Sequence, residues 1–137
     1  MLIVAFAGCN QNPKKAACNA DQTAALAVLP ADSNVVYVYN FRGKARCKAC
    51  VAVNDVARQT VENSFADNPN VRFVEINTNE KGYEALIEKY EITWNALIIA
   101  KGENAVEITR KAFLTAVENP QLLENLIKDE INKRLTD

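Results

Sequence analysis

The chain has 137 residues, 49% of them hydrophobic and 24% charged, which is enough for one ordinary core, so a single folded domain with a tail is expected. A formal net charge of −1 offers no concentrated basic surface, which argues against nucleic acid as a partner. With no histidine anywhere, the usual hydrolase triads and histidine-ligated zinc sites are excluded, and reactivity must come from cysteine, carboxylate or amine.

Met1 to Ala7 is almost wholly apolar and is followed by Gly8-Cys9. This start resembles the end of a bacterial lipoprotein signal, in which small residues precede a cysteine that becomes lipid-modified. The resemblance implies lipidation at Cys9, membrane attachment through it, and an exported protein, periplasmic or membrane-anchored. Residues 1–21 are then signal remnant and tether, and residues 22–137 the domain. No basic segment precedes the apolar run and the run is short, so a truncated signal and a plain apolar stub stay open as alternatives. Asn10 to Asp21 is mostly polar or small, with Pro13, Lys14 and Lys15, as suits a tether. Nothing approaches the roughly 20 continuous apolar residues of a membrane-spanning helix.

Export would mean an oxidising compartment, where paired cysteines act as redox couples or structural bridges. Of the four cysteines, Cys9 would carry lipid and Cys47 and Cys50 would pair. Cys18 is left over, either idle in the tether or a partner for Cys9 where no lipid is added. The Cys9 to Cys18 spacing is too long for the short loop that presents two thiolates to one zinc.

Gln22 to Leu29 is alanine-rich and suggests a short helix, broken at Pro30-Ala31-Asp32-Ser33. Val35 to Phe41 is β-branched and aromatic almost throughout, the run of a strand buried on both faces. A loop at Arg42 to Arg46 leads into a helix from Cys47 to about Phe65, where Cys50, Val53, Val56, Ala57, Val61 and Phe65 recur at helical spacing. Asp67 to Asn70 ends it. Val71 to Asn77 is a second strand, and Thr78-Asn79 then caps a helix with Tyr83, Leu86, Ile87 and Tyr90 as its stripe, a crossover that implies parallel strands.

Asn95 to Ala100 is a third strand. After the turn at Gly102 to Asn104, Val106 and Ile108 alternate with Glu107 and Thr109, as in an antiparallel partner with one wet face. The last helix has Asn119 as cap, Pro120 in its first turn, and Leu122, Leu123, Leu126, Ile127, Ile131 and Leu135 as buried stripe. Its charged end, Lys128 to Asp137, reads as a solvated face.

Cys47-Lys48-Ala49-Cys50, between a buried strand and a helix, carries the chemistry. Two intervening residues wound into a first helical turn bring the sulfurs together and leave the first at the open end. Unpaired amides at a helix start favour a thiolate and lower the pKa of Cys47, making it the nucleophile. Arg42, Lys44, Arg46 and Lys48 push in the same direction. Cys50 would be the resolving thiol.

Strand, loop, CxxC, helix, crossover and terminal ββα resemble the thioredoxin fold from about Val35 to the C-terminus: an α/β, three-layer sandwich with a mixed sheet in the order βαβαββα. The stretch Tyr37 to Cys50 resembles, more narrowly, the small bacterial thioredoxin-like proteins known as nitrophenyl-compound nitroreductase subunits. Three features of general thioredoxins are absent: the tryptophan before the first cysteine, the Gly-Pro between the cysteines, and the cis-proline before the third strand. Within Ile92 to Leu97 the proline's place is taken by Ala96, and a cis peptide there would cost ~3 kcal/mol, so a trans bond is expected. Substrate docking at Trp94, Asn95 and Ala96 then differs from thioredoxins, with Trp94 read as a packing residue beside the site and a substrate platform as the alternative.

The leading expectation is a thiol-disulfide oxidoreductase without a cofactor, with Cys47 and Cys50 catalytic and with Arg46, Lys48, Trp94, Asn95 and Ala96 binding substrate or tuning the thiols. Its partners would be a protein or small-molecule disulfide or dithiol, or a redox partner protein, and the chain would be a monomer. The alternative is a thioredoxin-like binding module or redox-complex subunit whose CxxC captures a soft metal or arsenite.

Overall fold

The computed structural model describes residues 33–137. The expected signal remnant and tether over 1–21, with Cys9 and Cys18, and the helix expected around Gln22 to Leu29 lie outside the described residues.

The elements run β1 (Val36–Arg42), α1 (Lys48–Ser64), β2 (Val71–Asn77), α2 (Glu84–Lys89), β3 (Ala96–Lys101), β4 (Asn104–Glu107), α3 (Thr109–Thr115) and α4 (Pro120–Leu135). The four strands form one mixed sheet in the order β2-β1-β3-β4, a thioredoxin-like α/β arrangement. β1 and β2 are parallel in register Val36 to Val71 through Arg42 to Asn77, as the long helical crossover requires. β3 runs antiparallel to β1, with Phe41 opposite Ala96, and β4 antiparallel to β3.

The second crossover therefore does not produce a parallel pair. The expected helix there is cut short because Gly82 adopts φ 107°, outside the helical region, and α2 begins only at Glu84. Thr78 and Asn79 cap nothing; Asn77 Oδ1 instead accepts from the Asn79 N–H at 3.1 Å, a local turn. Six helical residues rise about 9 Å, whereas a seven-residue strand spans about 23 Å, so α2 cannot carry the chain back along the sheet. β3 starts at the end where β1 and β2 finish. That edge is where the cysteine loop emerges.

Alternation divides the core. Val36, Val38, Leu97 and Ile99 face α1, α3 and α4, packing on Val53, Ala57, Ala112, Leu123, Ile127 and Ile131. Tyr37, Tyr39, Phe41, Ile76, Ala96 and Ile98 point the other way, with Leu86 of α2. Both faces of β1 are thus buried, in keeping with its largely apolar run. Asn40 is the polar interruption, and its side chain shares the α1 face.

Three expectations at the C-terminal end are corrected. Ile108 and Thr109 do not continue the β4 alternation: the Ile108 N–H donates to Leu97 O at 2.9 Å, the Leu97 N–H donates to Thr109 Oγ1 at 3.0 Å, and the chain turns into α3. Ile108, Ala112 and Ala116, all buried, form the i, i+4, i+8 stripe that marks this extra helix. Asn119 does cap α4, its Oδ1 accepting from the Leu122 N–H at 3.2 Å, with Pro120 at the first helical position. Leu122, however, is 52% exposed, because the buried stripe follows Leu123, Ile127 and Ile131 and Leu122 lies one residue, about 100°, off it.

Arg134 is no part of a solvated face. Only 5% exposed, it donates from Nε to Asn104 O at 3.0 Å and from Nη1 to Glu130 Oε2 at 2.8 Å and Glu130 O at 3.0 Å, fastening the end of α4 to β4.

Candidate functional site

The site forms where β1 ends. The Arg42 carbonyl accepts from the Thr78 N–H at 2.9 Å, which ties the chain leaving β2 to the base of the cysteine loop. The Gly43 N–H donates to Asn95 Oδ1 at 2.7 Å, which ties the same loop to the residue preceding β3. Between these anchors, residues 43–47 leave the sheet and enter α1.

Cys47 is the N-cap of α1, in extended backbone with φ −78° and ψ 162°. Its Sγ accepts from the Cys50 N–H at 3.0 Å, taking the place that a serine or aspartate oxygen fills at an ordinary cap. The cap geometry thus supplies the amide donor that a thiolate needs at this position. The two cysteines are joined as a disulfide, with Cα atoms 5.0 Å apart. Cys47 is exposed and Cys50 half-buried, so an attacking group reaches the first sulfur more readily.

Asn95 approaches the second sulfur, its Nδ2 donating to Cys50 Sγ at 3.3 Å. Because its Oδ1 is already held by the Gly43 N–H, the orientation of the amide is determined and the NH2 end must face the sulfur. Asn95 lies just outside β3 rather than within it. Ala96 is buried in the α2-side cluster, and no cis peptide occurs among the described residues.

Trp94 does not pack beside the site: it is 76% exposed, because the turn preceding β3 projects it away from both core clusters. Arg46 and Lys48 are exposed and make no ion pair among the described residues. Arg42, expected among the cations acting on Cys47, is instead committed to Glu75 of β2 through its Nε. Among the described residues this leaves Lys44 and Arg46 of the loop and Lys48 at the start of α1 without an ion pair.

A cavity of about 270 Å³ opens behind Cys50, bounded by β1, α1, Glu75 and Asn95, with Phe113 as an apolar wall. Asn40 and Asn54 meet there, Asn40 Nδ2 donating to Asn54 Oδ1 at 2.8 Å. Both carboxylates of the cavity are ion-paired, Glu75 with Arg42 and Asp55 with Arg58 at 3.2 Å, which leaves Arg46 as its surplus charge among the described residues. Sequence reasoning missed Asn40 and Asn54. The signal for Asn40 was present, as the polar residue within the otherwise apolar and aromatic run from Val35 to Phe41, and Asn54 lies one helical turn beyond Cys50. On the opposite face of β1, burial pushes the Tyr39 phenol above its ordinary range, aided by neighbouring Tyr90 and Tyr37.

Among the described residues no group of three or more histidine, cysteine, aspartate or glutamate side chains gathers to hold a metal. The paired cysteines and the mixed sheet fit a thioredoxin-like fold and are compatible with redox activity. Compared with known proteins, the chain matches no protein-family model and no curated protein.

Proposed function

We propose that the protein is a thiol-disulfide oxidoreductase of the thioredoxin type. The observation that carries this reading is the disulfide between an exposed N-cap cysteine and a half-buried cysteine one turn on. A thiolate attacks Cys47 Sγ, an S–S bond forms between the two, and the Cys47–Cys50 bond breaks with its electron pair on Cys50. In the reverse direction the Cys50 thiolate resolves a mixed disulfide held by Cys47. The substrates are protein or small-molecule disulfides and dithiols, approached past Lys44, Arg46 and Lys48.

The resemblance of Tyr37 to Cys50 to nitroreductase subunits supports a finer reading, in which the domain hands electrons to or from a larger redox partner. The start of the chain supports export and lipid attachment at Cys9, which would hold the domain at a membrane surface in an oxidising compartment.

Exchange assays test the chemistry. Catalysed reduction of insulin-type disulfides by the reduced protein should be abolished by Cys47→Ser, whereas Cys50→Ser should accumulate a mixed disulfide at Cys47. Wild-type protein that exchanges no faster than an equal concentration of a simple thiol would sink this reading. If such protein instead retained arsenite or a soft metal in equal amount to its thiol pair, the capture module would replace it.

A further inference from the structure

We propose that the Cys47–Cys50 pair works in the oxidising direction, taking electrons from substrate dithiols, with Asn95 as a catalytic donor that receives the departing Cys50 sulfur. The inference rests on the exchange chemistry proposed above and adds its direction and the class of its substrate.

Each sulfur already has an N–H directed at it in the disulfide state. The Cys50 N–H lies 3.0 Å from Cys47 Sγ, and Asn95 Nδ2 lies 3.3 Å from Cys50 Sγ. A disulfide sulfur is a weak acceptor, whereas a thiolate forms charge-assisted hydrogen bonds about twice as strong as neutral ones. Donors placed in advance at both sulfurs therefore favour the reduced pair over the oxidised one. A couple whose reduced form is stabilised is the stronger oxidant.

Surrounding charge adds to this bias. The groups facing Cys50 across the cavity are Arg42 of β1 with Glu75 of β2, Asp55 and Arg58 within α1, and Arg46 of the loop; Asn95 and Phe113 are neutral. Among the described residues the two cavity carboxylates are paired and the remaining cation is Arg46, so the negative charge that acts on a Cys50 thiolate is that of Cys47 itself.

The chemistry balances without an external reagent in a single turnover. A substrate thiolate attacks Cys47 Sγ, the Cys47–Cys50 bond breaks, and Cys50 leaves as a thiolate onto the Asn95 amide. A second thiolate of the same substrate attacks the substrate sulfur of the mixed disulfide, closing the substrate disulfide and releasing Cys47 as a thiolate at the start of α1. Two electrons have passed from the substrate dithiol to the protein disulfide; one substrate proton is taken up by Cys50, which now lies beside the Cys47 thiolate, and the other goes to solvent. Repeated turnover requires a more oxidising disulfide to rebuild the pair.

The test is equilibration of wild-type and Asn95→Asp protein with reduced and oxidised glutathione at pH 7. Asn95→Asp keeps an acceptor for the Gly43 N–H, removes the donor to Cys50 and places negative charge beside it. The wild-type equilibrium constant for oxidising glutathione should exceed that of the variant by at least about tenfold, which is about 30 mV for a two-electron couple. Equal constants would overturn the proposed direction and leave exchange at Cys47 standing, whereas no exchange at all in the wild type would overturn both. Thiolate absorbance of the reduced wild-type protein decides independently of the variant. The more acidic thiol ionising below the ordinary value of about 8.5 supports the proposal, and both thiols ionising at or above it overturn the proposal.

Discussion

Breaking the Cys47–Cys50 bond should barely destabilise this fold, and the loop it closes shows why. The cysteines are three apart in sequence, so the cross-link encloses four residues. On the chain-entropy treatment, ΔS is about −2.1 − 1.5R ln 4, or about −6 cal/mol/K, so the bond removes only about 2 kcal/mol of freedom from the unfolded chain at 25 °C. A domain of this size is stable by about 5–15 kcal/mol, and its core of Val38, Leu97, Ile127 and their neighbours does not depend on the bond. The reduced protein should therefore stay folded, as any dithiol that works in a folded site must.

Donors to both sulfurs lower the advantage of the oxidised form further, since a charge-assisted hydrogen bond contributes about 1.5–3 kcal/mol against that ~2 kcal/mol. Urea unfolding of the oxidised and the fully reduced protein at pH 7, with reductant present throughout for the latter, gives the difference directly. The oxidised form should lead by less than about 2 kcal/mol, a melting difference of no more than roughly 8–16 °C. An advantage well above that, or loss of tertiary structure on reduction, would refute the reasoning and mark the bond as structural.

Removal of the buried guanidinium by Arg134→Ala should cost about 2 kcal/mol, because it strands Asn104 O and takes one of two cations from the Glu130 carboxylate, which keeps Lys133; a loss under about 0.5 kcal/mol in urea unfolding would return it to the class of solvated surface charge. The Glu130 carboxyl is held below its ordinary value, first by the hydrogen bond from Lys133 and then by Arg134. A depressed carboxylate contributes stability that is present above its unfolded value of about 4.3 and lost as pH falls through the folded one, so Glu130→Gln should narrow the gap in stability between pH 7 and pH 3. Trp94→Ala should leave the melting temperature within about 2–4 °C of wild type, since the ring is 76% exposed, and a larger drop would show that it packs after all.

What could be read directly lies within a few residues along the chain. The apolar run of β1, the helical spacing after Cys47, the span of β2 and the Asn119-Pro120 start of α4 are local patterns, and periods of 2 and 3.6 expose them without knowledge of any partner. The cysteine pair is local too, which is why the paired sulfurs and their place at a helix start were legible from Cys47-Lys48-Ala49-Cys50 alone. The α3 stripe of Ile108, Ala112 and Ala116 belongs to the same kind of information and was masked by the alternation of β4 running into it.

Only the tertiary structure decided what touches those sulfurs and which charges remain free. Asn95 reaches Cys50 across 45 residues of sequence, and Glu75 claims Arg42 across 33. Trp94 was expected to pack and is exposed, while Arg134 was expected to be solvated and is buried. Periodicity states which face a residue occupies on its own element and nothing about the element opposite. Partners for side chains at the ends of strands and helices are chosen by how far the connecting segments reach, and here the short α2 brought β3 back antiparallel and set Asn95 beside the disulfide.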